Sequence, residues 1–407
     1  LTDKRLVAVS FAYPPMMAAM SVLVWRLLRY SGLGFSVIRG EDGNCTDPGL
    51  ATVAGDGAGE LHSVGFREHL LHLLARRLLH GTPLVQLLEI PDIYRSWVPR
   101  AAARAVSACS TERDVLVTFA SPMSSHLVGL EVRRRMPGIP WVAYFGDPWT
   151  NNPMITRIRP AAALNLRLER RVVESADLLV FPCEEMRDMT LSINDPATAA
   201  RSRIATHGYE NLLYPPTTIR GESQLVVRHL GSLYGSRTPS DLVAALELLR
   251  LERPAVLERM RFEFYGTFPR SVGSGSLPEG LLTFHPPVPY LESLALMSSA
   301  DALLVITPSE ARSGVFLPSK LIDYMGAGRP VMGICRPGAC RSLLERLGGW
   351  ISDVGDPSSV AAALVSLAGF LEEDHHRASP WGDSAVRASY SAESTGHAFG
   401  AIIQELF

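Results

Sequence analysis

Residues 300–334 read ADALLVITPSEARSGVFLPSKLIDYMGAGRPVMGI, and this stretch narrows the fold more than any other. Residues 301–306 are a short apolar run with the length and character of a buried strand. A loop rich in Gly, Pro and Ser follows over residues 307–319. Ser319 is placed to cap a helix opening at Lys320, with Pro318 setting the chain direction ahead of it. Gly326, Gly328 and Pro330 keep that helix short, and residues 331–334 make the next strand. Strand, loop, helix, strand is one winding of a doubly wound α/β domain, whose ligands bind at the carboxyl ends of the strands. The loop runs into a helix N-terminus, whose free N–H groups and dipole favour an anion. Lys320 and Asp323 lie three residues apart and share a face of the first turn. An ammonium and a carboxylate there suit a ligand with both phosphates and hydroxyls, such as a nucleotide.

A chain of 407 residues exceeds one ordinary core and suits two domains. Its formal net charge of -2 gives no bulk field for nucleic acid. Apolar runs stay far below the roughly 18 residues that cross a bilayer, and the start carries no signal-peptide pattern. Five cysteines, with no Cys-x-x-Cys pair, argue against a zinc site and for a reducing cytoplasm. Of 39 Lys and Arg residues only Lys4 and Lys320 are lysine, so an ammonium kept inside the organising loop points to a need for a compact cation.

The rest of the chain repeats the same alternation. Strands are expected at 5–11, 35–39, 114–119, 141–145, 178–181 and 203–207, with helices between them and a Gly- and Asp-rich loop at 41–60. No Gly-x-Gly-x-x-Gly follows the first strand, which excludes the usual dinucleotide fingerprint. Two arginine-rich amphipathic segments, 66–80 and 94–108 (the second with Trp97), raise contact with an anionic membrane surface against packing on the core. Polar clusters follow successive strands and put His126 and Asp147 toward one crevice. A turn-rich stretch at 214–223 marks a boundary between domains 1–213 and 214–389. Beyond it, strands are expected at 225–230, 262–265, 282–285, 301–306 and 331–334. Ser240 is placed as the N-cap of a helix over 240–251, with Arg237 just ahead of it, and a last amphipathic helix fills 390–407.

In this order the motifs Tyr13-Pro14-Pro15, Phe145-Gly146-Asp147-Pro148-Trp149, Glu174-Ser175-Ala176-Asp177 and Gly231-Ser232-Leu233-Tyr234 occur. With residues 317–331 they resemble the retaining GT-B glycosyltransferases of family 4, in the branch that decorates bacterial surface polysaccharides and lipid-linked sugars. The resemblance spans nearly the whole chain. It implies two Rossmann-like domains facing across a cleft, with the acceptor on the first and the donor on the second. The helix at 390–407 would cross back onto the first domain. A nucleoside-diphosphate sugar, UDP-sugar first, is the implied donor, and a glycan, lipid-linked or small-molecule acceptor the implied partner.

Carried over, Arg237 and Lys320 contact the donor diphosphate and act, with His126 near the sugar, as the catalytic set. Asp323 takes the ribose. Gly231, Ser232 and Gly266 lie under the diphosphate, Val288 in the Pro287-Val288-Pro289 turn, and Ser319 and Leu321 at the helix start. Tyr13, Pro14, Pro15, Asp147 and Trp149 fall on the acceptor side. The family's second carboxylate, eight positions before Asp323, is Val315 here, with Glu310 close by in the loop, and the usual Arg after the loop glycine is Ser232. Transfer from a nucleoside diphosphate needs negative charge stabilised on the departing phosphate. Two cations and a helix N-terminus supply that without a metal, and no Asp-x-Asp occurs. Retaining transfer, a silent nucleotide-sugar-binding partner and a sugar-nucleotide epimerase all remain open, in a cytoplasmic protein with a peripheral place on the inner membrane face.

Overall fold

The computed structural model describes residues 4–41, 46–55, 59–68, 70–215, 224–269, 277–373 and 379–406. The chain divides into two compact units, one of residues 1–207 with 392–407 and one of residues 208–391. The expected boundary falls partly on residues 216–223, which lie outside the described residues, as do Cys45, parts of the 41–60 loop and Phe407.

The first unit is built on a parallel sheet of β1 (Arg5–Ser10), β2 (Gly34–Glu41), β3 (Glu60–Gly65), β4 (Asp114–Ala120), β5 (Trp141–Phe145), β6 (Leu178–Phe181) and β7 (Ser202–Ile204). Their spatial order is β3-β2-β1-β4-β5-β6-β7. Arg5 of β1 pairs with Gly34 of β2 and with Asp114 of β4, so β1 is central and the winding reverses between β1 and β4. Strands covered on both faces read as continuous apolar runs; Leu6–Val9, Val115–Val117 and Trp141–Phe145 are accordingly inaccessible to solvent.

The second unit carries β8 (Leu225–Leu230), β9 (Met260–Tyr265), β10 (Leu282–His285), β11 (Ala302–Ile306), β12 (Val331–Ile334) and β13 (Trp350–Ser352), all parallel, in the order β10-β9-β8-β11-β12-β13. One apolar cluster covers each face. The direction reverses between β8 and β11; the loops after these neighbouring strands hold Gly231, Arg237 and Glu310, and the second leads into the helix that carries Lys320. Arg228 in buried β8 is answered by Glu263 of β9 at 2.7 Å.

Several expectations change. The loop at 41–60 contains the helix Pro48–Gly55, and the strand β3 begins at its end. Trp97 does not face outward: it is fully buried, donates from Nε1 to the Val64 carbonyl at 3.1 Å and packs edge-on to Phe11. Ala101, Ala102 and Ala105 bury one side of the same helix against the unit and leave Arg100 and Arg104 outside. Among the described residues no helix is long and apolar enough to cross a membrane.

Candidate functional site

The carboxyl end of β8 and the start of the helix Ser319–Ala327 meet through two side chains. His229, buried and stacked on Phe264, uses Nδ1–H to donate to the Leu304 carbonyl at 2.9 Å. Its Nε2 is thereby left with a lone pair, and the Lys320 ammonium donates to it at 3.0 Å. Burial first, then the charge of Lys320, holds the imidazole neutral, with its pKa well below the usual value. Burial, then the Arg237 guanidinium, pulls Lys320 down from 10.5 to about 7. A cation placed beside another cation, anchored by a neutral base, is poised for an anion.

Gly231 opens the loop after β8 at φ +124°, where an added Cβ would stand 2.8 Å from the Lys320 Nζ. Gly266 packs so close behind it that a Cβ there would meet the Gly231 carbonyl carbon at 2.7 Å. Both glycines leave room for the lysine and for bare backbone. Ser232 is not a ligand-facing spare: its hydroxyl accepts from the Thr267 N–H at 3.1 Å and ties the two glycine loops together.

Arg237 lies over the Tyr234 ring, 5.0 Å from its centroid, and its Nε is buried with no hydrogen-bond partner among the described residues. Beside it, Ser236 accepts from the Ser309 N–H at 3.0 Å and donates to the Glu310 carboxylate. Glu310 therefore joins the loops after β8 and β11. Val315 is an apolar core residue of the short turn Ser313–Val315.

Ser319 does not cap its helix. Pro318 occupies the cap position in an extended conformation, so Ser319 is the first helical residue, and among the described residues no side-chain cap bonds the helix N-terminus. Ser240 behaves the same way behind Pro239, with its hydroxyl on Thr238 at 2.8 Å. Leu321 is buried in the core and its N–H is used on the Pro318 carbonyl at 3.0 Å. Lys320 and Asp323 do not converge on one partner. Asp323 accepts from the Tyr290 hydroxyl at 3.0 Å and the Tyr214 hydroxyl at 3.4 Å. Tyr290 opens the helix just after the half-buried Val288, so the Pro287-Val288-Pro289 turn leads directly into the tyrosine that bonds Asp323.

Sequence reasoning missed His229, Tyr290 and Ser236. The available signal was the pair Arg228-His229 inside an otherwise apolar buried strand, since buried polar groups need partners.

In the first unit His126 is fully buried in the first turn of the helix Ser124–Arg135. The Thr118 hydroxyl accepts from Trp141 Nε1 at 2.9 Å and donates to His126 Nδ1 at 2.8 Å. The other nitrogen, Nε2, then carries the hydrogen and is buried without a partner among the described residues. Burial lowers the pKa of His126 to about 3. The residue is a neutral hydrogen-bond donor, not an acid or base near neutral pH. Trp149 is turned inward at 1 % exposure, with Nε1 donating to Asn165 at 2.8 Å and its ring stacked near His126. It shapes the loop after β5 and offers no surface to an acceptor; Asp147 in the same loop is half-buried. Tyr13 is also buried, with its hydroxyl unpartnered among the described residues, while the Pro14 and Pro15 carbonyls accept from Arg39 and from the Asp47 N–H.

No family model matches the chain, and no curated protein is similar to it in sequence. Solved structures are. Trehalose-6-phosphate synthase OtsA aligns with TM-score 0.68 at 14% identity, over 99% of this chain and 100% of that one. HepE from Anabaena in complex with UDP-glucose aligns with TM-score 0.64 at 13% identity, over 98% and 99%. Sucrose-phosphate synthase from Thermosynechococcus elongatus aligns with TM-score 0.65 at 14% identity, over 99% of each. The two parallel-sheet domains are those of the GT-B fold.

Proposed function

We propose that this protein is a retaining glycosyltransferase that moves a sugar from a nucleoside diphosphate, UDP first, to a glycan, lipid-linked or small-molecule acceptor, without a metal. The observation that carries it is the convergence of Lys320, Arg237 and an uncapped helix N-terminus where the winding of the second sheet reverses. Fold similarity to UDP-glucose-bound HepE and to two sugar-phosphate synthases supports the class of reaction and the choice of UDP. Lys320, Arg237 and the helix N–H groups stabilise charge on the departing β-phosphate oxygen as the anomeric C–O bond breaks. The acceptor oxygen forms the new bond on the same face, and its proton passes to the leaving phosphate. Asp323, steadied by Tyr290, takes the ribose. The reading places the protein in the cytoplasm, peripheral to the membrane.

A second reading, a silent nucleotide-sugar-binding partner, is favoured by Val315 and by the use of Ser232 on Thr267. Thermal stability against UDP, GDP, ADP, dTDP and their sugars, followed by assay of UDP release with EDTA present, separates the two. A shift with one base and acceptor-dependent release supports transfer. A shift without release on any acceptor supports the silent binder, and no shift with any nucleotide sinks both.

A further inference from the structure

The helical layer of the first unit holds a cavity that donor and acceptor roles leave unused. It measures about 610 Å³ and is lined from the helices Val98–Ala108, Ser124–Arg135 and Arg159–Ser175. Val98, Leu127, Leu130 and Leu168 give it apolar walls. Arg95, Arg133, Arg134 and Arg171 stand around them. Glu131, the acidic residue of the lining, is already bonded by Arg134 and Arg135, each at 2.8 Å. Arg133 is committed to Asp177 at 2.8 Å. Arg95 donates only to the Ile90 carbonyl, and Arg171 has no hydrogen-bond or ion-pair partner among the described residues. Two arginines at the mouth of an apolar cavity are thus left without a counter-charge.

The neighbouring surface is apolar. Leu164 stands one turn ahead of Leu168 on the same side of its helix and is exposed. The short helix Val85–Leu88 packs on that helix, and Leu70–Leu79 packs on Val85–Leu88. These elements and the turn between them expose Leu73, Leu74, Leu78, Leu84 and Leu87, with Leu78 at 82 %. Single exposed leucines are ordinary, but a run of them on adjoining elements, ending at unpaired arginines, is an interaction surface.

We propose that this face docks on an anionic lipid surface, with the leucines entering the acyl boundary and Arg95 and Arg171 taking lipid phosphates at the cavity mouth. Charge complementarity selects this occupant. A symmetric contact with a second copy would bring the same unpaired arginines together. A free phosphate would leave the leucines in water. The proposal deepens the peripheral placement above and rests on it; because it is tested without nucleotide, its failure and that of the transfer reading are told apart.

The experiment is co-sedimentation of the full chain with vesicles of phosphatidylcholine alone and of phosphatidylcholine with phosphatidylglycerol. Binding is expected to the second and to fall with added salt. Each arginine near such a surface is worth about fivefold in partitioning, so Arg95→Gln with Arg171→Gln should weaken it about 25-fold. Leu74→Glu with Leu78→Glu should remove it, with the unfolding temperature unchanged in both variants. Equal binding to both vesicle types, no binding, or variants that bind like the parent would overturn the proposal. So would a dimer in light scattering that the leucine variant splits while vesicles stay unbound, or phosphate stabilising the parent in the absence of any vesicle binding.

Discussion

The Lys320 ammonium sits 3.0 Å from Nε2 of His229, a neutral imidazole fixed from behind by the Leu304 carbonyl. The lysine is held in place without being neutralised, because its partner carries no charge. A carboxylate in that position would have compensated the ammonium and removed its attraction for a diphosphate. His229→Phe keeps the stacking on Phe264 but loses the acceptor. Nucleoside-diphosphate affinity is expected to drop about tenfold, the effect of one hydrogen bond of about 1.4 kcal/mol, as read by titration calorimetry.

With its pKa near 7, free Lys320 is partly neutral at working pH. A bound diphosphate favours the ammonium and raises that pKa. Binding above pH 7 therefore takes up a proton, and affinity falls with rising pH by up to about tenfold per unit. Well below 7 the group is already charged and contributes no slope. UDP-glucose is the suitable ligand, since its diphosphate diester does not titrate there. Calorimetry in buffers of different ionisation enthalpy measures the uptake, which Lys320→Met should abolish.

Gly231→Ala adds a methyl 2.8 Å from the Lys320 Nζ at a backbone angle of +124°. The strained conformation costs about 1–3 kcal/mol, and the lysine must leave His229. Both a lower unfolding temperature and loss of the nucleotide-induced shift are expected. An unchanged nucleotide response would mean that the lysine is not the diphosphate contact.

Tyr290→Phe removes the closer of the two tyrosine hydroxyls that donate to Asp323. A hydrogen bond to a carboxylate is worth about 1.5 kcal/mol. The loss should reach ligands with an intact ribose and spare inorganic pyrophosphate, so competition between the two is the measurement.

Glu169 is buried beneath the loop after β5, accepting from the Thr150 N–H at 3.0 Å, with Arg157 and Arg170 as the facing charges. Burial raises its pKa above 4.5. The folded state then holds more protons than the unfolded one above pH 4.5, so this group lowers stability as pH rises through its folded pKa. Relative to the parent, Glu169→Gln should gain in unfolding temperature as pH is raised from 4.5 toward 7, a trend that melting curves across the range would reveal.

Continuous apolar runs such as Asp301–Ile306 and Asp114–Phe119 announced themselves because a parallel strand covered on both faces has no polar positions to spare. The strand β3 did not, since Glu60–Gly65 lies at a sheet edge and needs no apolar run. Lys320 was legible from its place at a helix start and Arg237 from its place just ahead of one. Their surroundings were not: the neighbour of Lys320 lies 91 residues away, and only the sheet brings it close. The direction of Trp97 and Trp149 was likewise invisible, because an aromatic residue beside arginines reads the same whether it faces the core or solvent. Ser319 was misread as a cap because Pro318 shifts the helix start by one residue.

The helix Ala392–Gln404 belongs to the first unit, where Phe399 packs on Phe119 and where Gly396 and Gly400 let its backbone touch Tyr30 and Ser31. During synthesis, therefore, the first sheet waits for its final helix while the whole intervening unit leaves the ribosome. At ordinary elongation rates that delay is on the order of ten to forty seconds. Until then, the pocket that receives Phe399 stays open, and a nascent chain stalled inside the second unit is the species a chaperone would meet.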